Sequence, residues 1–244
     1  MKSGWLDIVI PVYNEGANIQ NVLNGIEANI TAPHRILIVY DFDEDDTLPA
    51  VRDFAAGRRA PEILPVKNIY GRGALNAIRT GFARAEGEAV LVTMADCSDD
   101  LSIVDAMFQK IRDGYDVVCA SRYVGGGRQL GGPRLKKLLS RVAGVSLAWL
   151  TGLPTHDPTN NFKIYRKSLL NSINIESHGG FEVALEITAK AYLNGYKITE
   201  IPTIWHDRTT GRSNFKLIRW LPHYLRWYLH ATARRWLRSR KVTE

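Results

Sequence analysis

Short aliphatic and β-branched runs, each followed by a segment of helical period, fill the first half of the chain and leave few folds open. LDIVIPVYN (6–14) precedes EGANIQNVLNGIEANI (15–30), where Ile19, Val22, Leu23 and Ile26 recur three and four apart. RILIVYD (35–41) precedes DTLPAVRDFAA (46–56), a helix with Asp46 or Thr47 as N-cap and Pro49 in its first turn. EILPVK (62–67) precedes a glycine-opened helix over 71–87. EAVLVTMAD (88–96) precedes an amphipathic helix over 101–114, and YDVVCASRY (115–123) follows as a fifth strand. This βαβαβαβαβ order predicts an α/β fold with a mainly parallel sheet and helices on both faces. With 244 residues, 45% hydrophobic and 23% charged, the chain has the composition of a globular domain with a sizeable core.

After residue 123 the rhythm changes. A glycine-rich loop (124–133) leads to a basic, then apolar, helix (134–152). A polar turn and short strand (155–170), a helix (179–195), a strand (196–205) and a polar loop (206–216) follow. One domain is expected over 1–214, with 215–244 a basic amphipathic C-terminal helix. The net charge of +7 suits nucleic acid, anionic lipid or a phosphorylated small molecule. Cys97 and Cys119 make no disulfide framework and no metal motif, which points to a reducing, cytoplasmic setting. The first residues lack the pattern of a signal peptide, and no 18-residue apolar window predicts a membrane span.

In open parallel sheets, ligands sit beyond the carboxyl ends of the strands. Those ends carry PVYNE (11–15), YDFDEDD (40–46), MADCSDD (94–100) and ASRYVGGG (120–127). Two are aspartate clusters, whose charges repel unless water or a cation neutralises them. Oxygen ligands of this kind suit Mg²⁺ or Mn²⁺ bridging carboxylates to phosphates. The dinucleotide reading fails: NEGANI after the first strand has one glycine, and GGGRQLGG lacks the Lys-Ser/Thr of a P-loop.

In their order, IPVYNEGANI, IVYDFDEDDT, GRGALNAIRTGFARAEGEAVLVTMAD, ASRYVGGG, DPTNNFKIYRKSLL, GFEVALEITAKAYLNGYKITEIP and DRTTGRSNF resemble the family 2 inverting glycosyltransferases of GT-A fold. Within them the chain is similar to the dolichol-phosphate mannosyltransferases and their bacterial polyprenyl-phosphate relatives. Three positions depart from the family pattern: Met94 and Tyr40 stand where it has aspartates, and Asn214 where it commonly has a lysine.

The resemblance implies a sugar–nucleotide donor, GDP-mannose or UDP-glucose, and a polyprenyl or dolichyl phosphate acceptor. It implies Asp96 as metal ligand, with Ser98 and Asp99 beside it; for Asp99 and Asp100 the alternative is helix capping. Pro11, Tyr13, Glu15, Asp41 and Ala95 would line the nucleotide, with Asp41 accepting a hydrogen bond from the base. Arg208 would clamp the diphosphate, with Arg212 assisting. Arg122, Arg134 and Lys163 are candidates for the acceptor phosphate. Glu186, four residues after Glu182 on one helix face, stands at a recurring acidic position and is a catalytic or a structural residue. A lipid monophosphate is already an anion and requires no general base, whereas a hydroxyl acceptor does.

In FKLIRWLPHYLRWYLHATARRWLRSRK (215–241), Arg219, His223, Arg226, His230 and Arg234 make a polar stripe. Leu217, Leu221, Tyr224, Leu225, Tyr228 and Leu229 lie on the other side, with Trp220, Trp227 and Trp236 at the borders. Such a helix suits a membrane interface. The expected protein is therefore peripheral at the cytoplasmic face of a membrane, or completed by a membrane partner subunit. Two alternatives remain: transfer to a glycan or other hydroxyl in surface-polysaccharide synthesis, and non-catalytic sugar–nucleotide binding. Nucleic acid is not an expected partner, because acidic clusters occupy the ligand end.

Overall fold

The computed structural model describes residues 4–57, 61–207 and 217–241, without the side chains of 217–219 and 237–241. Its elements are β1 (Leu6–Pro11), α1 (Gly16–Asn29), β2 (His34–Tyr40), α2 (Thr47–Ala55), β3 (Glu62–Lys67), α3 (Ala74–Arg84) and β4 (Ala89–Val92). A short 3₁₀ turn (Leu101–Ile103) leads into α4 (Val104–Arg112), β5 (Val117–Ser121), β6 (Arg128–Leu130) and α5 (Arg134–Thr151). Then come β7 (Lys163–Arg166), α6 (Lys167–Ser172), α7 (Val183–Leu193), β8 (Ile198–Pro202), β9 (Ile204–His206) and α8 (Leu217–Lys241).

Seven strands form one sheet in the order β3-β2-β1-β4-β7-β5-β8. All pairs are parallel except those of β7, which runs antiparallel between β4 and β5. Alternation along β1 sends Ile8 and Ile10 to one face and Val9 to the other, so the sheet has a core on each side. Ile8 and Ile10 pack with α1 and α4 through Leu23, Ile26, Phe108 and Ile111. Val9 packs with α3 and α7 through Ile78, Phe82, Leu185 and Ile187. Gly81 lets α3 lie directly on β1: a Cβ there would stand 2.3 Å from Val9 Cγ1.

The chain leaves β1 toward β2 and later returns to β4 on the other side of β1, placing the strand-order reversal between β1 and β4. Crevices at such reversals hold ligands. The expected fold class holds. Some details differ from the sequence reading: the short strand read within 155–170 ends at Arg166, and Lys167–Ser172 is the helix α6. The glycine-rich loop contains β6, the 196–205 strand divides into β8 and β9, and β9 leaves the main sheet to pair with β6. The C-terminal helix packs against α5 and α7.

Candidate functional site

The loops after β1, β2 and β4 close around one cavity of about 800 Å³. Two clasps fix the first two. Both carboxylate oxygens of buried Asp45 accept the Asn14 N–H, at 3.2 and 3.1 Å, and Thr47 Oγ1 accepts the Glu15 N–H at 2.9 Å. Asn14 (φ 51°) and Cys97 (φ 57°), both in site loops, have left-handed backbone, which non-glycine residues adopt rarely. Asp41 lines the cavity, held by Asn68 Nδ2 and the Gly73 N–H, both at 2.8 Å. Pro11, Tyr13, Glu15 and Ala95 line it as well, with Tyr13 exposed and edge-on to Phe42 at 5.5 Å.

MADCSDD turns Asp96, Ser98 and Asp99 into the same cavity. Asp96 Oδ1 accepts the Ser98 N–H at 3.1 Å, and Asp99 Oδ2 accepts from Thr93 Oγ1 at 2.9 Å. Asp100 instead caps the 3₁₀ turn through Ser102. Burial, and then the charge of Asp96, push the Asp99 carboxyl up to about 7; the Thr93 and Met94 hydrogen bonds and Arg122 oppose this. Two crowded carboxylates and a serine hydroxyl form a hard-oxygen set that fits Mg²⁺ or Mn²⁺. Among the described residues no group of three or more His, Cys, Asp or Glu side chains could hold a metal alone. A metal here would take further oxygens from a phosphorylated ligand, as Mg²⁺ ordinarily does.

Because its folded pKa is raised, Asp99 stays protonated in the folded chain over a range where the unfolded chain has ionised. Its contribution to stability is present at acid pH and lost as pH rises from 3.8 through about 7. In EDTA at pH 8, Asp99→Asn should therefore be more stable than wild type by about 1–2 kcal/mol, after discount for solvent access. Denaturant melts should show the gap closing toward pH 4. An equal gap at both pH values would contradict the raised pKa of Asp99.

The other predicted residues distribute differently. Arg122 lines the cavity but is bound by Asp157: Nε donates to Oδ2 at 2.7 Å and Nη2 to Oδ1 at 2.9 Å. Desolvation opposes its charge, yet Asp157 outweighs this and holds the guanidinium protonated above its usual range. Lys163 is 0% exposed and outside the cavity wall. Its Nζ donates to the carbonyls of Asp157, Pro158 and Asn160, so it staples a loop where a phosphate ligand was expected. Arg134 is exposed at the start of α5 and also lies off the wall, whereas Lys136, two residues further on, is on it.

Glu186, expected among the catalytic residues, is buried under the wall. It accepts the N–H groups of Glu176 and Ser177 at 2.6 and 2.8 Å and the Lys190 ammonium at 2.7 Å. Glu182 likewise accepts the N–H groups of Gly179 and Gly180. Both carboxylates shape the loop that carries Gly179 and Phe181 into the cavity. Arg208, Arg212 and Asn214 lie outside the described residues.

Sequence reasoning missed Asp157 and Asp45, though DPT and DEDDT are turn-forming patterns that hold buried carboxylates of this kind. It also missed the second half of the cavity, which is apolar. Leu139 and Ala143 of α5 and Trp220, Leu221, Tyr224 and Leu225 of α8 form it. Trp227, expected at a border of α8, is buried and donates Nε1–H to Ser177 Oγ at 2.9 Å. The leucines face outward instead: Leu139, Leu221 and Leu225 line the cavity yet are 37, 51 and 50% exposed.

The open, mostly parallel sheet with acidic strand-end loops at its reversal point matches the GT-A fold. The sequence pattern of glycosyl transferase family 2 matches residues 7–173, and the chain belongs to that family. It is 26% identical over 231 residues to a dolichol-phosphate mannosyltransferase of Pyrococcus furiosus, covering 91% of this chain and 63% of that protein. It is 27% identical over 210 residues to a polyprenol monophosphomannose synthase of Mycolicibacterium smegmatis, covering 84% of this chain and 79% of that protein. The chain thus spans less than two thirds of the Pyrococcus relative. Glucosyl-3-phosphoglycerate synthase of Mycobacterium tuberculosis, crystallised with Mn²⁺, UDP and glucosyl-3-phosphoglycerate, shares the fold. Its TM-score is 0.68 at 16% identity, over 94% of this chain and 80% of that one.

Proposed function

We propose that this chain is an inverting glycosyltransferase that moves a hexose from a nucleoside-diphosphate sugar to a polyprenyl phosphate at a membrane surface. The observation that carries this reading is the two-sided cavity. One half presents Asp41, Asp96 and Asp99; the other is an apolar wall between α5 and α8 that continues onto the surface. An isoprenoid chain is stabilised by burial against such a wall. The names of the two curated relatives support the same acceptor and favour mannose.

In this reading Pro11, Tyr13, Glu15, Asp41 and Ala95 seat the nucleoside. Asp96, with Ser98 and Asp99, would hold Mg²⁺ or Mn²⁺, which when bound stabilises charge on the departing diphosphate. Arg208 keeps its proposed place as diphosphate clamp. A phosphate oxygen of the acceptor attacks the anomeric carbon as the bond to the diphosphate breaks, so the configuration inverts. The attacking group is already an anion, and Glu182 and Glu186, both engaged with backbone N–H groups, are not needed as a base.

Among the described residues no helix is long and apolar enough to cross a membrane. Peripheral contact through α5 and α8, at the cytoplasmic face, fits their surfaces: Trp149 is 85% and Leu229 55% exposed. Arg134, Lys137 and Arg141 on α5 add charge attractive to anionic lipid. Each of the two apolar side chains contributes about 1.5–3 kcal/mol when buried. Trp149→Glu combined with Leu229→Glu should therefore weaken binding to anionic vesicles more than about tenfold. Transfer to long-chain polyprenyl phosphate in vesicles should fall in parallel, while transfer to a water-soluble short prenyl phosphate persists. Unchanged vesicle binding and transfer would remove the membrane part of the proposal.

A further inference from the structure

A second, smaller cavity of about 190 Å³ lies between the start of α3 and the loop that precedes α7. Arg72 and Arg79 reach it from the first segment and His178 from the second. No Asp or Glu lines it. The Arg72 guanidinium lies over Phe42 at 5.4 Å and that of Arg79 over Tyr70 at 4.8 Å, so aromatic faces fix both. Neither arginine has a carboxylate partner among the described residues. Arg72 is exposed and Arg79 half-buried; the other half-buried arginines among the described residues are paired, Arg35 with Asp7, Arg122 with Asp157 and Arg166 with Asp116. The first turn of α3 adds partial positive charge and carries no side-chain cap.

We propose that this cavity is an oxyanion subsite for a carboxylate or phosphate group. Two guanidinium groups and an imidazole from separate segments converge without any acid to balance them. An oxyanion supplies that balance and matches the planar guanidinium forks. The cavity shares Gly73, Ala74 and Gly179 with the large one, so the oxyanion belongs either to a molecule seated there or to a small anion bound beside it. The first source rests on the donor reading above; the subsite does not.

Inorganic phosphate is the probe, titrated calorimetrically into the full chain, alone and with UDP and Mn²⁺ present. Wild type should bind it saturably. Arg72→Gln and Arg79→Gln should each weaken binding at least tenfold, Arg79→Lys less, with the unliganded melting temperatures confirming folding. Retained phosphate affinity in both glutamine variants, or no saturable binding to wild type, would overturn the subsite, the first meaning an adventitious ion only. UDP-glucuronate and UDP-glucose then identify the source. Tighter binding of the acidic sugar by wild type, lost in Arg79→Gln, places the oxyanion on the donor. Equal binding of both, with phosphate still dependent on Arg72 and Arg79, assigns a separate anion. Failure of GDP-mannose and of every UDP compound to bind would sink the donor reading and leave the phosphate result standing.

Discussion

Asp157→Ala should destabilise the protein by about 3–5 kcal/mol, the usual cost of stranding one member of a buried ion pair. Asp157 is 0% exposed and takes both forks of Arg122, its backbone N–H at 3.1 Å and the Thr159 hydroxyl at 3.3 Å. Without it, a guanidinium remains in a desolvated wall with Ser140 as its remaining side-chain hydrogen-bond partner. For a chain of this size the melting temperature should fall by about 10 °C. Replacing both partners by apolar residues, Arg122→Met with Asp157→Leu, should recover much of the loss, because the isolated charge disappears. A cost under about 1 kcal/mol for Asp157→Ala would mean that Arg122 is solvated and free to meet an acceptor phosphate.

Asp96→Asn should lower sugar transfer by about 10²–10³-fold, the range for removing one electrostatic stabiliser of a developing anion. The melting temperature without ligand should stay within about 2 °C of wild type, because asparagine retains the oxygen that accepts the Ser98 N–H and surface-loop changes are mild. Initial rates at saturating Mn²⁺, beside melts in EDTA, separate the two effects. Turnover near the wild-type rate would exclude Asp96 from the chemistry and shift attention to Asp99.

Most of the sheet was legible because its strands are short apolar runs that need no distant partner to be seen. LDIVIP and RILIVY could be little else. Strand β6 was not legible: Arg-Gln-Leu has no strand pattern and exists by pairing with Ile204–His206, some 75 residues away. Nor was the antiparallel sense of β7, which tertiary packing alone decides. At the site, Pro11, Tyr13, Glu15, Asp41, Ala95, Asp96, Ser98 and Asp99, picked out by motifs at strand ends, all line one cavity. Basic residues misled, because sequence does not distinguish a lysine that meets a phosphate from one that ties backbone carbonyls, as Lys163 does. Glu186 misled likewise: its helix face was readable, but the two N–H groups it caps come from a loop ten and nine residues earlier. On α8 the apolar side with Leu221, Leu225 and Leu229 was readable from the spacing, but the burial of Trp227 was not, because it depends on packing against Ser177.

The most direct measurement is mass spectrometry of the lipid product. The chain would be incubated with GDP-mannose or UDP-glucose, in Mn²⁺ or EDTA, and with polyprenyl phosphate or the dephosphorylated polyprenol in vesicles. A polyprenyl-phosphohexose is expected with one of the two donors, formed in Mn²⁺, absent in EDTA and absent with the alcohol. Sugar transferred equally to the alcohol, or product formed undiminished in EDTA, would contradict the proposed reaction.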